Sequence, residues 1–250
     1  MRLYLVDSFT DTAFRGNPAG VVLLDSPADE GWMQAVAAEL KHSETAFVVT
    51  SEEPKPLRWF TPVVEVDLCG HATLAAAHVL GGDQVFTTRS GELRCQADGG
   101  RVSMEFPADI AVPAELPSAA LPVATEYVAQ GVSDVLAVLA DAGQVRSLEP
   151  DLDAIAGWDG RCLIVTAPSD RPGIDFVSRV FGPAVGIPED PVTGSAHCTL
   201  APYWAERLGR TELVGEQASA RGGIVHMRLR DDRVVLSGTA VTVLAGELLV

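Results

Sequence analysis

Lysine is almost missing from this 250-residue chain: Lys41 and Lys55 are the only two, and the formal net charge is −16. Such a balance excludes a phosphate-tracking nucleic-acid surface and adhesion to an anionic membrane, because the field of the whole protein repels both. An anionic substrate would have to be held locally, by backbone amides, Ser, His and a few Arg. No apolar run is long enough to cross a bilayer, and Leu3–Val6 reads as an N-terminal strand too short for a signal peptide. The four cysteines, Cys69, Cys95, Cys162 and Cys198, show no CxxC spacing, so neither a zinc site nor a disulfide framework is indicated and a reducing cytoplasm is expected. No GxGxxG follows a strand, no GxxxxGK[ST] occurs, and no lysine is placed for a Schiff base. Chemistry by side chains alone, without cofactor, is the expectation.

What is present centres on Gly186–His197, where the acid pair Glu189-Asp190, the turn Pro191-Val192-Thr193-Gly194 and Ser195 precede a helical run. Leu200, Ala201, Trp204, Ala205 and Leu208 recur at helical spacing, and Gly209 ends the run. The amides of Gly194, Ser195 and Ala196 would then lie at a helix N-terminus, where the dipole favours an anion such as a carboxylate. An ordinary loop-to-helix junction capped by Ser195 is the simpler alternative.

Earlier in the chain, Leu3–Val6 is a strand, Gly16–Gly20 a turn in which Asn17 bonds backbone, and Val21–Leu24 an apolar run. Asp29–Leu40 forms an amphipathic helix with Trp32, Ala35, Val36 and Leu40 on one face. The next strand, 42–49, opens with His42-Ser43-Glu44. A Glu44 turned inward would have its pKa raised by desolvation, which suits a general base and acid at carbon.

The chain also repeats itself. Arg58-x-Phe60-x-Pro62 is matched by Arg179-x-Phe181-x-Pro183, Gly70-His71-Ala72 by Gly194-Ser195-Ala196, and the hairpin Arg89–Val102 by Arg221–Val234. An offset of about 120 to 130 residues is too long for a solenoid and fits a duplicated domain. The expected organisation is α+β: two similar domains facing across a cleft that holds the active site, 1–112 and 113–239, with the strand about 240–250 returning to the first. Pro107–Pro122 is the expected linker, 127–139 a strand then a helix, 152–158 a helix or loop, and 161–166 a strong strand.

Histidines 42, 71, 78, 197 and 226 find no carboxylate cluster in sequence to complete a metal set, so no metal is expected. Thr193-Gly194-Ser195-Ala196 lacks the G-x-S-x-G elbow of serine hydrolases. Proton transfer at carbon by Glu44, His71 and Asp190 is what remains.

Five ordered motifs, Gly16-Asn17-Pro18, Ser43-Glu44-Thr45-Ala46-Phe47, Arg58-x-Phe60-Thr61-Pro62, Gly70-His71-Ala72-Thr73 and Glu189-Asp190-Pro191-x-Thr193-Gly194-Ser195-Ala196, closely resemble the PhzF-like, phenazine-biosynthesis isomerase family over nearly the whole chain. The resemblance implies a diaminopimelate-epimerase-like fold in which each domain wraps mixed β-strands around a central helix. It also implies a cofactor-free, often homodimeric enzyme that isomerises a small carboxylate of dihydro-hydroxyanthranilate type. Carried over, Glu44 is the acid/base, while His71 and Asp190 orient the substrate and tune Glu44. Ser195 and the amides near Gly70 and Gly194 grip the carboxylate, with Ser43 and Ala72 in the same binding set. Cys69-Gly70-His71 is also similar to the signature of the two-thiol epimerases and racemases of that fold, which leaves open an amino-acid racemase using Cys69 with a carboxylate partner, as well as a non-catalytic small-molecule binder.

Overall fold

A computed structural model describes residues 1–116, 121–158 and 160–250. The chain divides into two compact units, Met1–Glu105 with Ser237–Val250, and Phe106–Leu236.

In unit 1 the hairpin partners β1 (Arg2–Ser8) and β2 (Asn17–Leu24) pair antiparallel, and β2 then runs parallel to β3 (Glu44–Val49) through the crossover helix α1 (Glu30–Leu40). Asp29 caps α1, its side chain accepting from the Trp32 amide at 3.0 Å, and Lys41 closes the helix in the left-handed conformation. Met33, Val36 and Ala37 of α1 pack on Val22, Leu24, Phe47, Val49 and Phe60, a core of unit 1. β4 (Lys55–Phe60) continues antiparallel to β3, turns back as β5 (Glu65–Val66), and gives way to α2 (Gly70–Leu80). Seven consecutive residues of α2, His71 to Ala77, are buried. A helix buried all round needs small side chains, which the Ala75-Ala76-Ala77 run supplies, so β1, β2, β3, β6 (Gly82–Thr88) and β7 (Gly91–Asp98) can close on it. β8 (Arg101–Pro107) pairs with β7 across Gly99-Gly100. The free edge of β1 is covered by the last strand of the chain, with Arg2 opposite Glu247 and Ser8 opposite Ala240.

Unit 2 repeats this order. After β9 (Val112–Pro113), β10 (Tyr127–Gln130) pairs antiparallel with β11 (Asp134–Val138), and β11 runs parallel to β12 (Cys162–Pro168) through the short helices α3 (Ala142–Ser147) and α4 (Leu152–Ala156). β13 (Phe176–Gly182) and β14 (Ile187–Asp190) return antiparallel before α5 (Gly194–Leu208); β15 (Glu212–Gln217) and β16 (Gly223–Arg230) follow, and β17 (Arg233–Glu247) starts in this unit and from Ser237 onward is the strand that pairs with β1. The repeated motif makes the same contacts in both units. Arg58 lies 5.1 Å from the Phe60 ring centroid and bonds Glu65 of the return strand at 2.6 Å; Arg179 lies 4.8 Å from Phe181 and bonds Glu189 at 2.7 Å.

Helix α5 carries Pro202 in its interior, which removes one helical N–H and frees the carbonyl of Cys198. That carbonyl accepts instead from the Asp109 amide at 3.1 Å, and the Asp109 carboxylate takes the Thr199 hydroxyl at 2.9 Å. Below it, the rings of Phe176 and Trp204 stack with centroids 5.6 Å apart. The stack needs Gly215, where a Cβ would stand 2.5 Å from the Phe176 ring.

Three sequence expectations are corrected. Residues 127–139 form two strands, not a strand and a helix, because Val135–Val138 is a fully buried run whose apolar continuity is equally that of a core helix. In Gly16–Gly20 only Gly16 has a positive φ, and Asn17 already belongs to β2. Within Pro107–Pro122, Val112 and Pro113 pair with Gln130 and Ala129 as an edge strand, which tolerates proline; residues 117–120 of that stretch lie outside the described residues.

Candidate active site

In unit 1 the parallel register sets Glu44, the first residue of β3, beside Ala19 of β2, while α2 starts at Gly70 with Cys69 as N-cap. These elements converge on His71. Its Nε2 stands 3.3 Å from Glu44 Oε2 and 3.4 Å from Ser43 Oγ, and its Nδ1 stands 3.5 Å from Cys69 Sγ. Ser43 in turn donates to Asn17 Oδ1 at 3.2 Å. The Ser8 hydroxyl donates to the His71 carbonyl at 2.8 Å, and the Thr73 hydroxyl to the Cys69 carbonyl at 2.6 Å, so the first turn of α2 is tied to its surroundings. Gly16 makes room for this: a Cβ there would stand 2.1 Å from the Ser8 carbonyl oxygen. Burial, reinforced by the nearby His42, pushes the His71 pKa down to about 3, so the imidazole is neutral at neutral pH. The Glu44–His71 contact is therefore not an ion pair: a carboxyl group stands 3.3 Å from a neutral ring.

Donor atoms of Glu44, Cys69 and His71 lie within 4.8 Å of one another, the set to which a metal ion would turn first among the described residues. Cys69 and Glu44, however, face opposite nitrogens of one imidazole.

In unit 2, Asp190 ends β14 and Thr193 is the N-cap of α5. Thr193 makes no side-chain capping bond; its hydroxyl donates to Asp190 Oδ2 at 2.5 Å. Gln217 locks the turn, donating to the Asp190 carbonyl at 2.7 Å and accepting from the Thr193 amide at 2.8 Å. Ser195 sits in the first turn of α5, beyond the cap, and its hydroxyl oxygen accepts from Arg161 Nη2 at 2.8 Å. Arg161 is itself clamped by Asp134, through Nε at 2.9 Å and Nη2 at 2.6 Å. Burial opposes the charge on Arg161, but the Asp134 carboxylate outweighs it and holds the guanidinium above its ordinary pKa. The Arg161–Asp134 pair thus sets a guanidinium beside a hydroxyl in the first turn of a helix, where the dipole favours negative charge.

The thiol corresponding to Cys69 is missing from α5, whose N-cap is Thr193. Cys198 lies one turn into the helix, and burial pushes its pKa up to about 12.

Residues 6–246 match the family described as phenazine biosynthesis-like protein, PhzC-PhzF. The chain belongs to this family. A protein of Halalkalibacterium halodurans named an uncharacterized isomerase is 45% identical over 260 residues, covering 99% of this chain and 98% of its own. The crystal structure of a PhzF-family protein from Enterococcus faecalis is 40% identical with a TM-score of 0.95, covering 100% of this chain and 99% of that one. A predicted epimerase from Pseudomonas aeruginosa, 22% identical over 100% of this chain and 99% of its own, shares the fold with a TM-score of 0.75. An epimerase-like fold of mixed strands and few helices is thus common to this PhzC-PhzF member and its neighbours.

The sequence motifs of this family member contain Ser43, Glu44, Gly70, His71, Ala72, Asp190, Gly194 and Ser195, and the structure brings Ser43, Glu44 and His71 together in unit 1 and Asp190, Gly194 and Ser195 onto one turn and helix start in unit 2. Arg161, Asp134, Thr193 and Gln217 were not anticipated as site residues, and the part Asn17 takes beside His71, accepting from Ser43, was not anticipated either. Arg161 directly precedes a strong strand, and its partners are 27 and 34 residues away, so no local pattern marks it. No helix is long and apolar enough to cross a membrane among the described residues.

Proposed function

We propose that this PhzF-like protein is a cofactor-independent isomerase that moves a proton between two carbons of a small carboxylate, dihydro-hydroxyanthranilate-like in class, working as a cytoplasmic homodimer. The observation that carries the reading is the pairing of Glu44 with a neutral, buried His71. Glu44 as carboxylate takes a proton from one substrate carbon and becomes the acid; the same proton then returns to a second carbon, restoring the carboxylate. Glutamate suits a shuttle that must hold the proton between steps. Asp190, fixed by Thr193, orients the polar groups of the substrate. Ser195, backed by Arg161, and the helix starts at Gly70 and Gly194 hold the carboxylate, with Ser43 and Ala72 completing the binding set.

The test is NMR in D2O with dihydro-hydroxyanthranilate, diaminopimelate and proline, comparing wild type, Glu44→Gln and Cys69→Ala. Deuterium entering a carbon of one compound, lost in Glu44→Gln and retained in Cys69→Ala, supports the isomerase and names the substrate class. The reverse dependence would move the protein to the thiol epimerases, and binding without any exchange would make it a binder.

A further inference from the structure

The hydrogen bonds around His71 fix more than its position. A neutral imidazole carries one N–H, and the neighbours of its two nitrogens decide where that proton resides. At Nε2 stand Glu44 Oε2, 3.3 Å away, and Ser43 Oγ, 3.4 Å away. A carboxylate can only accept, and the Ser43 proton is directed to Asn17 Oδ1 at 3.2 Å, so Ser43 also presents a lone pair. Two acceptors require the N–H on Nε2. Nδ1 is then a bare acceptor inside the protein, and Cys69 Sγ lies 3.5 Å from it. A thiolate there would set one lone pair against another; a thiol supplies the missing proton.

We propose that Cys69 is a positioning residue whose thiol proton, donated to His71 Nδ1, locks the imidazole in the tautomer that points Nε2–H at Glu44. The lock matters most in the interval when Glu44 holds the abstracted proton. At that moment Glu44 is a neutral acid, no longer forces a donor onto Nε2, and could itself donate to a ring that had switched tautomer. The proton would then be engaged with His71 when it is due at the second carbon. With Nδ1 occupied by the thiol, Nε2 remains a donor to Oε2, and the transferred proton is confined to Oε1. Cys69 thus serves as a thiol throughout, which separates it from the thiolate bases of racemases. The kinetic part of this inference rests on the isomerase reading; the tautomer does not.

The experiment is long-range 1H–15N NMR of the histidine-labelled full chain at pH 7. Glu44→Gln mimics the neutral acid, because the amide can turn either its oxygen or its nitrogen to Nε2 and so leaves the tautomer to Cys69. We expect Nε2–H with bare Nδ1 in wild type, in Glu44→Gln and in Glu44→Gln/Cys69→Ser, and a mixture of tautomers in Glu44→Gln/Cys69→Ala. In the exchange assay, Cys69→Ala is expected to lower kcat about five- to tenfold, as for loss of one neutral hydrogen bond, with KM within about twofold, and Cys69→Ser to restore most of the rate. Nδ1–H in wild type, or one unchanged tautomer in both double variants, overturns the proposal. Were none of the three carboxylates to exchange, the isomerase reading would fall and the tautomer spectra would still decide the role of Cys69.

Discussion

The two units share one chain path and differ in what that path displays. In each, a strand starts beside a parallel neighbour and a buried helix starts close by: Glu44 opens β3 opposite Ala19, and Cys162 opens β12 opposite Asp134. The residue just before each strand bonds the second residue of the helix. Ser43 meets His71 in unit 1, and Arg161 meets Ser195 in unit 2. Behind each stands a third group, Asn17 or Asp134. Unit 1 thus carries a neutral network suited to handling a proton, and unit 2 a charged one suited to holding an anion. Duplication supplied two equivalent positions, and divergence of three side chains at each gave them different chemistry.

The largest expected contrast is in turnover. Glu44→Gln should lower kcat by about 10³-fold with ligand affinity retained, the range for loss of a general acid–base, whereas Cys162→Ala at the equivalent strand start should leave kcat within about twofold, since burial pushes that thiol up to about 12. Exchange kinetics of the two variants side by side would erase the comparison if both fell alike.

Arg161→Gln should act on KM, raising it about tenfold with little change in kcat. It should also cost about 2 kcal/mol in urea unfolding, because Asp134 is left buried without its cation; adding Asp134→Asn should recover part of that stability. A variant with lowered kcat and normal KM would place Arg161 in the chemistry instead.

An effect confined to acid pH follows from two buried histidines, one in each unit. Burial depresses His71 to about 3 and His197 to about 4, the second against a hydrogen bond to the Thr193 carbonyl, while both titrate near 6.5 when unfolded. Below pH 6.5 the unfolded chain takes up protons that the folded chain refuses. Their contribution to stability is therefore complete above pH 6.5 and is lost as pH falls toward 4, at up to about 1.4 kcal/mol per pH unit for each ring. His71→Gln and His197→Gln should each flatten the urea-midpoint profile between pH 6.5 and 4; a slope unaltered in both variants would refute the burial argument.

The smallest effect is Ser195→Ala, expected to raise KM about threefold, as for one exposed hydrogen bond to a bound carboxylate, while Arg161 still supplies the charge.

Much of this was legible in the sequence where a signal is local or repeated. The Arg-x-Phe-x-Pro and Gly-x-Ala matches located α2 and α5 and the duplication, because a motif that must make the same contacts twice keeps the same letters. The helix expected over Asp29–Leu40 is α1, with Asp29 standing just outside it as the cap. What could not be read depends on long-range register. Arg161 becomes a site residue only once β11 and β12 lie parallel and bring Asp134 beside its strand. The second strand at 134–138 was missed for a related reason: a run buried on both faces loses the alternation that distinguishes a strand from a helix. The thiol of Cys69 resembled that of the two-thiol epimerases; only the folded chain sets it 3.5 Å from His71 Nδ1.

Pro202 links two stretches of chain that sequence distance keeps apart. Because the proline leaves the Cys198 carbonyl open for the Asp109 amide, and the Asp109 side chain then holds Thr199, positions 109, 199 and 202 form one structural unit. An N–H restored at 202 would close the helical ladder and compete with the Asp109 amide for the Cys198 carbonyl, while the Asp109 carboxylate would keep its bond from the Val132 amide at 3.0 Å. The proline that looks like a flaw in the helix is an address to which a distant stretch of chain is delivered.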